Sequence, residues 1–256
     1  MIAHTVVDEA YSVFGPLFAH SARLCGYTPQ VFAAGLSKTA RRGFEVIGYM
    51  PVKKSYPLRG AAIAAERYID IDTMTEPWLV FDSDAIVTIP AEETVREVQN
   101  RMVGPAFIMR GAKKGNGRVW AGEYERASSG FMCLTPEFAE RTAKRRFIAE
   151  TLLVNAEQRY SAAHEVMLCK ILKSSNIQMS TDNKYAKWRK PFVHIGDYRD
   201  GRSRKRIEKS KRYVDVDMLS AVLSDYTTQK LLRVLSDDQM FLYAYGRMLH
   251  HLQDVV

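Results

Sequence analysis

The sequence predicts an α/β fold with a mostly parallel, Rossmann-like central sheet, flanking helices and a helical C-terminal extension. Strand-like and helix-like segments alternate through the first half, as they do where helices connect parallel strands. A continuous apolar run at residues 77–81 has the length of a strand covered on both faces. From Met218 onward, apolar side chains recur at helical spacing. We expect a catalytic domain over residues 1–200, with a basic segment and helices packed on it over residues 201–256.

The elements of the first half follow from their apolar patterns. Residues 2–7 are a β-branched apolar run, and residues 11–24 space their apolar side chains as a helix does, with Gly26 placed to end it. The next candidates are strands at 30–34 and 44–50 with a polar turn at 38–43 between them, an alanine-rich helix at 58–68, a strand at 77–81, an apolar stretch at 85–89 and a helix at 91–101.

The second half of the sequence is less regular. Its strand candidates are residues 105–110, 118–125, 128–134, 177–180 and 192–195, and its helix candidates are residues 137–150 and 162–173. Residues 111–117 read as a loop rich in Lys and Gly.

The composition is that of an ordinary globular protein, with 46% hydrophobic and 26% charged residues. No apolar run approaches the roughly 20 residues that cross a bilayer, and the N-terminus lacks the basic lead of a signal peptide. The three cysteines, Cys25, Cys133 and Cys169, are far apart and fit no zinc spacing. We therefore expect reduced thiols and a cytoplasmic protein.

The positive charge is concentrated in one segment. The chain has a formal net charge of +8, and residues 182–213 hold twelve Lys or Arg against four acids, so this segment alone carries +8. Such a segment favours an anionic partner: nucleic acid, a phosphorylated ligand or an acidic membrane surface.

Asp82-Ser83-Asp84 follows the apolar run at residues 77–81 directly. Two carboxylates this close repel each other unless a cation holds them, and the carboxyl ends of strands are where α/β sheets bind ligands. A hard divalent cation, Mn²⁺ or Mg²⁺, satisfies both conditions. The alternative is an ordinary polar turn, in which Asp and Ser are common.

Residues 77–85, read as Pro-Trp-Leu-Val-Phe-Asp-Ser-Asp-Ala, resemble the Asp-x-Asp strand of GT-A nucleotide-sugar glycosyltransferases. Two later segments resemble the glycogenin- and galactosyltransferase-like branch of that family. They are residues 128–134 (Ser-Ser-Gly-Phe-Met-Cys-Leu) and residues 193–198 (Val-His-Ile-Gly-Asp-Tyr). Ser stands where the branch usually has Asn, and no Lys-Pro-Trp follows His194, so retaining and inverting outcomes both stay open.

The resemblance implies a GT-A fold, a hexosyl- or pentosyltransferase activity and a nucleoside-diphosphate sugar as donor. It implies a metal site at Asp82, Asp84 and His194, with Asp84 central to catalysis. It also implies donor contacts after the first strand, on the helix upstream of the acidic motif, at the motif itself and in the basic segment after His194: Asp8, Tyr11, Arg59, Asp82, Ser83, Arg199 and Arg202.

Glu165 is the candidate general base for the acceptor hydroxyl. It opens the helix predicted at residues 162–173, so the alternative is an ordinary acid in a first helical turn.

Other enzyme classes fit the order of motifs less well. Nucleotidyltransferases usually have a Gly-rich loop after the first strand, and no such loop follows residues 2–7 here. Phosphohydrolases with an Asp nucleophile have Asp-x-Asp at the first strand, whereas the motif here follows a much later predicted strand, at residues 77–81.

A non-catalytic alternative is a nucleic-acid-binding protein that uses residues 182–213, in which aromatic residues alternate with cations. The two hypotheses combine in a glycosyltransferase that acts on modified DNA, as phage enzymes do. A lipid or anionic glycan acceptor, with peripheral membrane contact, is the remaining alternative.

Overall fold

A computed structural model of the chain describes residues 1–110, 127–155, 163–180, 191–198, 204–212 and 214–253. Within these ranges, strands β1 to β8 cover Ile2–Val7, Thr28–Ala33, Val52–Lys53, Trp78–Phe81, Ala85–Val87, Ala106–Arg110, Ala127–Leu134 and Phe192–His194. Helices α1 to α10 cover Gly15–Leu24, Lys38–Val46, Glu66–Ile69, Ala91–Gln99, Pro136–Asn155, Ala163–Ser174, Arg204–Lys211, Val216–Ser224, Tyr226–Leu235 and Gln239–Leu252. Short 3-10 helices lie at Ser12–Phe14, Gly60–Ala65 and Ile195–Tyr198.

Six strands form a mixed sheet in the order β3-β2-β1-β4-β7-β6. The pairs β1–β4 and β2–β3 are parallel, and β7 runs antiparallel to both of its neighbours, β4 and β6. Strands β5 and β8 form a separate antiparallel pair. The predicted α/β class, with helices around a central sheet, is confirmed.

The chain divides into two compact units. The first comprises Met1–Val6, Ser55–Asp82 and Val95–Ala186. In its core, the buried ring of Phe131 on β7 packs against those of Phe81 on β4 and Phe107 on β6, with centroid distances of 5.2 and 6.2 Å. This aromatic cluster fixes the end of β4, where the acidic motif begins.

The second unit comprises Val7–Lys54, Ser83–Thr94 and Lys187–Val256. Helices α1, α2 and α9 pack together, and Gly43 on α2 allows the close approach, since a Cβ there would lie 2.9 Å from Pro16 and 3.0 Å from Leu235. Helix α10 packs on the 3-10 helix Ile195–Tyr198, with the Tyr198 ring stacked on His251. These contacts support the segment that carries His194.

The prediction of a turn at residues 38–43 and a strand at 44–50 is wrong, because α2 covers all of 38–43 and continues to Val46, and residues 47–50 form no strand. Ser37 caps this helix by accepting a hydrogen bond from the Ala40 N–H at 3.1 Å. Phe44 and Ile47 are buried, which is the spacing of one helix face rather than of a strand. Gly48, at φ +56°, follows the helix end.

The structure modifies two further predictions of secondary structure. The helix predicted at 58–68 exists as a 3-10 helix followed by the short α3, and residues 177–180 are not a strand. A single backbone bond, from the Ser180 N–H to the Ile108 carbonyl, joins that segment to β6. The loop predicted at 111–117 and the strand at 118–125 lie outside the described residues. The domain boundary near residue 200 stays a prediction.

All three cysteines are buried and free, as predicted for reduced thiols. Burial raises the pKa of the Cys133 thiol to about 12, so it is not a ready nucleophile. Each helix in the described part of the chain is too short or too polar to cross a membrane.

Candidate metal centre

The acidic motif lies where the buried strand β4 ends. Trp78 and Phe81, at the two ends of β4, are both fully buried, and the short buried strand β5 begins at Ala85. Asp82 is half-buried and Asp84 is only 5% exposed. A carboxylate as buried as Asp84 needs a compensating partner, because burial of an isolated charge is costly.

Asp82 is held by a buried arginine. Arg67 on α3, 3% exposed, forms an ion pair with the Asp82 carboxylate and also donates to the carbonyls of Phe81 at 3.2 Å and Ala64 at 3.0 Å. On the other side, a Cβ at Gly130 would lie 2.7 Å from Asp82 Oδ2, so a larger residue there would require this carboxylate to shift. Arg67 therefore holds the Asp82 side chain, and Gly130 leaves room for it.

Asp84 is held by His194. The pairing of β5 with β8 sets Ala85 opposite His194, and the Ile195 N–H donates to the Asp84 carbonyl at 2.9 Å. His194 Nε2 then lies 2.9 Å from Asp84 Oδ1. Two segments far apart in sequence thus bring an imidazole and a carboxylate together.

Two carboxylates surround the His194 ring, because Nδ1 lies 3.5 Å from Asp197 Oδ1. Burial alone would lower the pKa of the imidazole, but Asp84 and Asp197 outweigh it and raise that pKa well above its ordinary value. The ring therefore carries a proton at neutral pH when no other cation is bound. A metal ion would replace that proton on Nε2, because only the neutral ring is a ligand.

The donor set fits a divalent cation. Among the described residues, Asp82, Asp84 and His194 each offer one ligand atom, and these atoms lie within 4.8 Å of one another. Two carboxylates and one imidazole suit Mn²⁺, and the carboxylates suit Mg²⁺, with the remaining positions left for water or phosphate oxygens.

The other predicted site residues lie outside this group of three. Asp8 accepts a hydrogen bond from the Tyr11 N–H at 2.9 Å, just after β1, and Ser83 is half-buried between the two acids. Arg59 is exposed and donates to the Leu58 carbonyl at 3.1 Å. Glu165 is half-buried in the first turn of α6. Arg199 and Arg202 fall outside the described residues.

Three residues that shape the site are not among those predicted from the sequence: Arg67, Gly130 and Asp197. Arg67 lies in the same predicted alanine-rich helix, residues 58–68, as Arg59, and the local sequence does not separate the two arginines. Gly130 lies within the predicted strand 128–134, where an isolated glycine indicates close approach of another group. Asp197 follows His194 by three residues, the spacing of a 3-10 turn.

The fold is similar to that of the glycosyltransferase GlyE from Streptococcus pneumoniae TIGR4. The TM-score is 0.51 at 13% sequence identity, over 90% of this chain and 64% of GlyE, so the chain spans less than two thirds of that protein. No protein-family model and no curated protein sequence matches this chain.

Two further glycosyltransferases resemble the chain with a TM-score of 0.48. One is the galactosyltransferase LgtC, solved with donor and acceptor sugar analogues, at 11% identity over 96% of this chain and all of LgtC. The other is the bifunctional glycosyltransferase WbbM, at 10% identity over 97% of this chain and 51% of WbbM. At these identities the likeness to GlyE concerns the fold, and the GT-A fold predicted from the sequence is confirmed.

Proposed function

We propose that this chain is a metal-dependent glycosyltransferase that moves a sugar from a nucleoside-diphosphate sugar to an acceptor hydroxyl. The observation that carries the proposal is the group of Asp82, Asp84 and His194 at the end of a buried strand in a GT-A fold. A polar turn, the alternative for an Asp-x-Asp sequence, does not account for a buried Asp84 paired with an imidazole from a distant strand.

A divalent cation held at this site would supply charge neutralisation for the departing nucleoside diphosphate. Asp84 and His194 would hold the cation. Asp82, fixed by Arg67, would either complete the ligand set or accept a hydrogen bond from the ribose. With His194 neutral, the carboxylates of Asp82 and Asp84 together match the charge of one divalent ion, and the ion pair with Arg67 offsets part of the charge of Asp82.

The remaining predicted contacts are part of the proposal. Asp8 and Tyr11, close together after β1, would meet the nucleotide base, and Ser83 and Arg59 would contact the donor. Arg199 and Arg202 would bind the diphosphate oxygens. Glu165 would accept the proton of the acceptor hydroxyl as the sugar is transferred.

The acceptor is proposed to be anionic, since residues 182–213 carry the whole net charge of +8. Modified DNA, an anionic glycan and an anionic lipid share this property. If residues 182–213 bind DNA without any transfer of sugar, the chain is instead a non-catalytic nucleic-acid-binding protein, and a steep loss of affinity with salt is its expected signature.

The test is thermal unfolding with a panel of uridine, guanosine and cytidine nucleotide sugars, with Mn²⁺ or with EDTA. One nucleotide sugar should raise the melting temperature only with Mn²⁺, because a ligand of the native state stabilises it according to affinity and concentration. Asp84→Asn should abolish that shift. Asp237→Asn is the control, since Asp237 pairs with Arg42 at an exposed position. Equal shifts in Mn²⁺ and EDTA, or none for any donor, would refute the proposal.

A further inference from the structure

A chain of polar contacts leads from the basic helix α7 to His194. The Ser210 hydroxyl on α7 donates to Asp197 Oδ2 at 3.2 Å. The other oxygen of the same carboxylate, Oδ1, lies 3.5 Å from His194 Nδ1. The opposite ring nitrogen of His194 lies 2.9 Å from Asp84. All four side chains belong to the second unit, so this chain of contacts is internal to it.

Asp197 is buried where a carboxylate is costly. It is 7% exposed, and the neighbouring Tyr198 is 1% exposed. A small cavity beside them is lined by Phe192, Val193, His194, Asp197, Tyr198, Ser210 and Val214. An ionised carboxylate is stable in such surroundings only when its oxygens have partners. Each oxygen of Asp197 has one: the imidazole on one side and the hydroxyl on the other.

The geometry gives this carboxylate a function toward a metal ligand. An imidazole binds a metal through one nitrogen only if the other nitrogen carries the proton, and a carboxylate beside that proton selects the tautomer and fixes the ring plane. It also increases the basicity of the ligating nitrogen. Nδ1 of His194 faces such a carboxylate, which leaves Nε2 for the metal.

We propose that Asp197 is a positioning residue for the metal ligand His194, and that Ser210 holds Asp197 in place from α7. The proposal rests on the function proposed above. Neither residue belongs to the group of candidate metal ligands among the described residues. The contact from Ser210 to Asp197 also connects α7 with the metal centre. The cationic sequence of α7 alone indicates only a solvated or phosphate-binding helix.

A second histidine–aspartate pair in the same unit is the matched control. His20 Nε2 lies 2.8 Å from Asp225 Oδ2, and Asp225 also caps α9 by accepting from the Thr228 N–H at 2.9 Å. Loss of Asp225 removes a histidine partner and a structural contact, as loss of Asp197 does. Neither His20 nor Asp225 belongs to the group of candidate metal ligands.

The experiment measures Mn²⁺ affinity of the full chain by electron paramagnetic resonance, with the melting temperature of each variant recorded in EDTA. Asp197→Ala should weaken Mn²⁺ binding about 10–100-fold, the usual effect of losing an outer-shell partner. Asp197→Asn should recover part of that loss, because its amide oxygen still accepts from Nδ1. Ser210→Ala should lower affinity less than either. Asp225→Ala should leave it within about two-fold of the wild type, whatever its effect on the melting temperature.

The outcomes separate the inference from the proposed function. If the wild type binds Mn²⁺ and Asp84→Asn abolishes binding, but Asp197→Asn and Asp197→Ala bind as the wild type does, Asp197 is not a positioning residue and the metal site stands. If Asp197→Ala fails to fold, Asp197→Asn with Ser210→Ala decides the question in the same way. If the wild type does not bind Mn²⁺ at all, the inference and the proposed function are both overturned.

Discussion

The two carboxylates of the acidic motif are one residue apart, yet they are held in different ways. Asp82 pairs with Arg67, a buried guanidinium that the fold itself supplies. Asp84 pairs with His194, whose charge depends on pH and on a metal. The cation beside Asp82 is therefore part of the fold, whereas the charge beside Asp84 changes when a metal binds.

This difference explains how a pair of close carboxylates is stable before any metal arrives. Arg67 compensates Asp82 permanently, so only Asp84 requires an exchangeable cation. In the metal-free protein the proton on His194 is that cation, and a divalent ion would displace it. Substitutions around Asp84 should therefore change metal binding, whereas substitutions around Asp82 should first change the stability of the fold.

The largest effect on Mn²⁺ binding is expected from removal of Asp84 or His194, the paired candidate ligands. Asp84→Ala and His194→Ala should each weaken Mn²⁺ binding more than the loss of an outer-shell partner does, which is typically about 10–100-fold. Isothermal titration calorimetry with Mn²⁺ measures this. Either variant with wild-type affinity would show that the metal site is elsewhere.

At Asp82, Arg67→Met should destabilise the fold by about 3 kcal/mol, because it leaves this partly buried carboxylate without its cation. Urea unfolding gives the free energy of unfolding. Arg42→Met is the control: the Arg42–Asp237 pair is exposed, so its loss should cost less than about 1 kcal/mol. Equal effects of the two substitutions would mean that Arg67 does not carry the role assigned to it.

Gly130→Ala should sharpen the same contrast with a smaller effect. The added methyl would meet Asp82 Oδ2 and push it away from Arg67, which should cost about 1–3 kcal/mol. Gly246→Ala on α10, where a Cβ meets nothing within 4 Å, should instead stabilise the protein by up to about 1 kcal/mol. A destabilised Gly246→Ala together with a neutral Gly130→Ala would contradict the packing described around Asp82.

The pH dependence separates the two sides with the smallest effect. The pKa of His194 is raised in the folded protein, so its stabilising contribution is complete below the unfolded-state pKa near 6.5 and is lost as the pH rises through the folded-state value. In EDTA, the stability difference between wild type and His194→Asn should shrink as the pH increases from 6.5. The stability difference between wild type and Arg67→Met should stay constant over that range. If both differences shrink together, Asp82 and Asp84 are not held in the different ways described.

Local sequence patterns predicted what depends on local sequence. The apolar run of β4 located Asp82 and Asp84, and the apolar segment before His194 located β8. Helix α2 was missed because its apolar residues were weighed as a run, while the cap at Ser37 and the burial of one face only become decisive in the packed unit. Arg67 and Asp197 were missed because their partners are set by three-dimensional packing, which no local pattern encodes.

Whether the chain is a metal-dependent glycosyltransferase is decided by the release of nucleoside diphosphate from the panel of nucleotide sugars, with Mn²⁺ or with EDTA. At least one donor should be cleaved by the wild type only with Mn²⁺, and Asp84→Asn should lose this activity while Asp237→Asn keeps it. Cleavage that persists in EDTA or in Asp84→Asn, or no cleavage of any donor with or without candidate acceptors, would contradict the proposed function.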